Sequence, residues 1–75
     1  MELENIKIGN VKLERLNRFK TNASEISIIR IFDLNNINYI SFVDIADGIL
    51  KTLSAKEFEY KFGNNLNTLD RKSVV

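Results

Sequence analysis

Two apolar runs limit what this chain can fold into: Ile26-Ser27-Ile28-Ile29-Arg30-Ile31-Phe32 and Ile37-Asn38-Tyr39-Ile40-Ser41-Phe42-Val43-Asp44-Ile45, separated by Asp33-Leu34-Asn35-Asn36. Both are rich in β-branched and aromatic residues and too short for self-standing helices, so they predict neighbouring strands. Strict alternation puts Ile26, Ile28, Arg30 and Phe32 on one side of the first strand and Ser27, Ile29 and Ile31 on the other. Apolar residues on both sides predict a strand covered on both faces, as in a barrel or sandwich. In the second run Ile37, Tyr39, Val43 and Ile45 share one face, and Ile40 and Phe42 lie on the other. Asp47-Gly48 predicts a tight turn that returns Ile49 to Leu53 as a further strand.

The flanking segments carry shorter signals. Ile6 and Ile8, then Val11 and Leu13, alternate with polar residues around Gly9-Asn10, which predicts a hairpin with a II′ turn. Leu13, Leu16 and Phe19 are spaced by three, fitting one or two helical turns. A strand running through Leu16 and then a loop competes with that reading. Thr21-Asn22-Ala23-Ser24 breaks the pattern with turn formers. Over Ser54 to Phe62 two signals conflict. Ser54-Ala55-Lys56-Glu57 is a capping box and Phe58 with Phe62 an i,i+4 pair, both helical. Phe58, Tyr60 and Phe62 also alternate with charged residues, and that period favours a strand.

Together these predict a mainly β domain over residues 1–69: a small antiparallel sheet, or a partly open OB-like barrel of four or five strands, with at most one short helix. The last six residues, Asp70 to Val75, match the start of a common short-read sequencing adapter when back-translated. They are expected to be an artefact on the N-terminal fragment of a longer protein. The abundance of Asn, Ile and Lys fits an AT-rich genome, as in many phages and Firmicutes.

Composition removes several functions. The chain has 75 residues, no Cys and no His, which excludes disulfides and the common zinc sites. Without those residues a Ser or Thr nucleophile would need a Lys or carboxylate base, and no motif supplies one. Asp33, Asp44 and Asp47 sit at strand ends and read as turn formers. A calcium loop from Asp33 would want oxygen at position 37, which is Ile. No enzyme activity and no cofactor are expected. No run approaches the roughly 18 apolar residues of a membrane span, and a cytoplasmic location follows as the default.

The net charge is only +1, but the cations gather early. Lys12, Arg15, Arg18 and Lys20 flank Phe19, and Arg30 interrupts an apolar strand. Cations that track phosphates, interleaved with rings on which bases stack, are what single-stranded nucleic acid requires, with Tyr39 as a further ring. A solvated charged face with Phe19 in the core accounts for the same residues. The run Val11 to Lys20, a polar break and then Glu25 to Phe32 resembles the opening of tailed-phage single-stranded DNA-binding proteins. The resemblance implies an OB-fold, with Lys12, Arg15, Arg18 and Arg30 lining a DNA groove. This chain departs from it in lacking a Cys/His zinc subdomain and a proline after Phe32. The alternative is a small β-rich interaction or structural domain of phage or mobile-element origin. It would bind protein, or itself, through an exposed strand edge or through Phe58, Tyr60 and Phe62.

Overall fold

The computed structural model describes residues 1–21 and 24–63 and the backbone of residues 67 and 68. The suspected adapter residues 70–75 lie outside that description. The strands are β1 (Glu2–Leu3), β2 (Asn5–Ile8), β3 (Val11–Glu14), β4 (Arg18–Lys20), β5 (Glu25–Leu34), β6 (Ile37–Asp44), β7 (Ile49–Ser54) and β8 (Asn67–Thr68). Among the described residues there is one helix, α1 (Ala55–Phe62), which follows β7 directly. The main sheet is antiparallel in the order β7-β6-β5-β4-β8, and β1 pairs with the far half of β5. It is an open sheet, not a barrel, and its short pieces outnumber the four or five strands expected.

The turns follow from their residues. The β2–β3 hairpin turns through Gly9-Asn10, where only Gly9 has positive φ (60°), as the first position of a II′ turn demands. Between β5 and β6 both Asn35 and Asn36 adopt positive φ (54° and 65°), a I′-type connection whose twist matches the paired strands. Residues 11–14 and 18–20 form strands, so the helical spacing of Leu13, Leu16 and Phe19 is not realised. Leu16 lies in the intervening turn at φ 72°, exposed.

A β-bulge in β5 overturns the expected alternation. Ile28 pairs with Phe42 and Arg30 with Ser41, leaving Ile29 without an opposite number. Beyond it every side chain changes side. Ile31 therefore joins Ile26 and Ile28 in the core, fully buried, while Arg30 and Phe32 turn outward. The split expected in β6 is found, with Ile40 and Phe42 inward.

Among the described residues only one face of the sheet is covered. The β2–β3 hairpin brings Ile8 and Leu13 onto it, and α1 brings Phe58 and Phe62, to pack on Phe19, Ile26, Ile28, Ile31, Ile40 and Phe42. Phe42 meets Phe58 and Phe62 edge-to-face at 5.4 and 5.7 Å. The expectation of a strand wrapped on both sides fails because the bulge moves Ile31 to the side of Ile26 and Ile28, and the outward face keeps Phe32 and Leu34 without a covering layer among the described residues.

The strand expected over residues 54–62 is a helix. Ser54 accepts from the Glu57 N–H while Glu57 reaches back to the Ser54 N–H, which completes the capping box. Phe58 and Phe62 are buried one turn apart, and Tyr60 is 95% exposed. The aromatic alternation was a coincidence of helix spacing. Ser54→Ala should lower stability by about 1 kcal/mol, read from the urea midpoint, because the Glu57 N–H loses its acceptor.

Candidate functional site

The predicted nucleic-acid residues divide between the two layers. Lys12 lies on the hairpin and pairs with Glu14 at 3.5 Å; Arg15, in the next turn, pairs with Glu4 at 3.6 Å. Arg18 and Lys20 on β4, Arg30 on β5 and Tyr39 on β6 share the outward face of the main sheet, from the registers Arg18–Ser27, Lys20–Glu25 and Phe32–Tyr39. Arg18 is held by Glu25 at 2.8 Å, and Arg30 by Glu2. Lys20 has no carboxylate within ion-pair distance among the described residues. Phe19 is fully buried, so the expectation of a base stacking on it is corrected: its partner strand residue is Ile26, and both face the core.

The outward face does hold one aromatic stack. Phe32 and Tyr39, directly opposite on β5 and β6, stack with centroids 5.4 Å apart at 23°, and the Arg30 guanidinium lies 4.3 Å from the Phe32 centroid. Leu34 and Ile37 continue the same side at the hairpin end, 56% and 47% exposed.

A second surface lies at the far edge of the sheet. β7 pairs with β6 on one side, and among the described residues no strand pairs with its other side. Alternate N–H and C=O groups of an edge strand point away from the sheet, ready to accept another strand. Ile49 and Leu50 open this strand with more than half of their surface exposed. Beside it, Leu53 of β7 and Lys56, Glu57, Tyr60 and Lys61 of α1 line an open groove of about 570 Å3. Its walls are mostly carbon, because the charged residues present their stems.

Lys51 is the one charge on β7, and it points to the same side as its partner Phe42. An inward lysine is a common guard against edge pairing. Here its ammonium is 3.1 Å from Asp47 and 3.8 Å from Asp44. The Ile49 backbone N–H, donating at 2.9 Å, and then Lys51 hold the Asp47 carboxyl below its ordinary value of 3.8. A carboxylate lowered in this way contributes stability above its ordinary pKa, and that contribution disappears as pH falls through the lowered value. At neutral pH the Asp47 carboxylate therefore accepts from the Ile49 N–H and pairs with the Lys51 ammonium at the turn into β7.

Among the described residues there is no cluster of potential metal ligands, and no helix is long and apolar enough to cross a membrane. Comparisons with family models, with curated proteins and with solved structures find no match, so the reading of both surfaces rests on their geometry.

The sequence pointed to an exposed edge and to Tyr60 in general terms, but it did not locate the edge on β7. The signal was present in Ile49-Leu50, two apolar residues straight after a tight turn. Both cannot face one core in an extended chain.

Proposed function

We propose that this domain is a protein-interaction module that receives an extended strand along the free edge of β7. The observation that carries this reading is the six-residue edge, unpaired on its outer side among the described residues, beside a carbon-lined groove. Main-chain hydrogen bonds to β7 would supply affinity, and side chains entering the groove beside Leu53 and Tyr60 would supply selectivity, as in other strand-addition sites. Selection from a displayed library of random extended peptides tests it. Enriched peptides should carry apolar residues at alternate positions and shift the amide resonances of Ile49–Ser54 and of α1. Shifts confined to other strands, or no enrichment by a folded protein, would refute it.

A second reading, single-stranded DNA binding across the outward face, draws on the Arg30–Phe32–Tyr39 stack and on Lys20. It is the weaker of the two. Glu25 and Glu2 already neutralise Arg18 and Arg30, so this face offers little net positive charge to a phosphate backbone. Fluorescence anisotropy with an oligonucleotide at low salt decides it. Binding that weakens with added salt and is lost in Arg30→Ala supports DNA, and a flat titration removes it.

A further inference from the structure

We infer that the strand received by β7 is β7 of a second copy, paired antiparallel about a two-fold axis normal to the sheet. This rests on the reading of β7 as the docking edge. Such an axis keeps the covered faces of both copies on one side, so residues directly opposite must come from the same face of the strand. The axis then passes beside a single residue of β7. Placing it at Leu50 or Leu53 leaves only a short overlap, whereas Lys51 and Thr52 lie near the middle of Ile49–Ser54.

Charge decides between those two. An axis at Lys51 sets two like-charged clusters opposite each other, each one ammonium with the carboxylates of Asp44 and Asp47, a destabilising cross-strand arrangement. An axis at Thr52 sets threonine against threonine, a favourable pair, and runs Leu50 to Ser54 against itself. It also lays the stem of Lys51 across Leu53 of the other copy, with the Lys51 ammonium still held by Asp44 and Asp47.

The helices support the same arrangement. The stripe of α1 along the groove carries Lys56, Glu57 and Lys61, so two copies meeting there bring both signs together. Tyr60, nearly all exposed, would then be covered. A stable pair needs about 800 Å2 from each copy, roughly a sixth of this chain's 5033 Å2. That area takes the helix stripe as well as the strand. A domain of this size without disulfides also gains from association.

The absence of cysteine makes the test direct. Thr52→Cys, Lys51→Cys and Asn10→Cys each place one thiol on a cysteine-free chain, the last in the β2–β3 turn, outside the sheet that holds β7. With a short bis-maleimide, Thr52→Cys should yield covalent dimer at least about tenfold faster than Asn10→Cys, because pairing holds the two thiols at an effective concentration near millimolar. Sedimentation of the unmodified chain should show a concentration-dependent dimer. Thr52→Lys should weaken that dimer, and mixing it with Thr52→Glu should restore association, which covers the case of a misfolded cysteine variant. Equal cross-linking at positions 10 and 52, or fastest cross-linking at position 51, would overturn the proposed pairing. A strict monomer that still binds selected peptides at β7 would overturn self-pairing and leave the docking edge standing. A monomer that binds no peptide would remove both.

Discussion

Phe42→Ala is expected to lower the stability of this domain by about 3–5 kcal/mol. Phe42 lies mid-strand in β6 with 1% of its surface exposed, opposite Ile28 on β5. Its ring is the one that both helix phenylalanines meet edge-to-face. Truncation removes the transfer free energy of the ring and leaves a cavity between sheet and helix that neither can fill without moving. A 75-residue domain has about 4–11 kcal/mol in total. With a total near the lower end of that range, a loss of about 5 kcal/mol would leave the variant largely unfolded at room temperature. Urea unfolding followed by circular dichroism measures the effect. Tyr60→Ala, on the same helix but facing solvent, should stay within about 0.5 kcal/mol of the parent. A large loss at Tyr60 would mean that the ring is structural and not available to a partner.

The second large effect falls on β5. Ile31→Ala should cost about 2–5 kcal/mol, whereas Ile29→Ala should cost less than about 1 kcal/mol. In an unbroken strand the two residues share a face and would respond alike. The bulge separates them, with Ile31 fully buried and Ile29 40% exposed. Deleting Ile29 provides a complementary check. The pairs Ile28–Phe42 and Arg30–Ser41 are then consecutive, so the shortened chain should fold with both faces preserved. Similar losses at positions 29 and 31 would contradict the bulge, and with it the open outward face.

Much of the architecture was legible in the residues because it is set locally. β-branched content gave the two long strands, Gly9-Asn10 gave the hairpin, and the inward pair Ile40 and Phe42 followed from alternation alone. What escaped depends on events that no single segment encodes. The bulge is a property of two strands, and one extra residue exchanged the sides of Ile31 and Phe32. The helix was signalled by Ser54 and Glu57, but the spacing of Phe58, Tyr60 and Phe62 satisfies both periods. Only packing on Phe42 shows that Tyr60 is not part of the set. For the site, the clustering of Lys12, Arg15, Arg18 and Arg30 was visible, but the glutamates that engage Arg15 and Arg30 come from elsewhere in the chain. Arg30 meets Glu2 and Arg15 meets Glu4, pairs made by β1 and the hairpin folding back on the sheet.

Amide hydrogen exchange across Ile49–Ser54, measured at increasing protein concentration, addresses the free edge most directly. Alternate amides of β7, those turned away from β6, should exchange quickly in dilute protein and become protected as concentration rises or a selected peptide is added. Uniform protection along β7 in dilute protein, or an unprotected edge under every one of these conditions, would contradict the account.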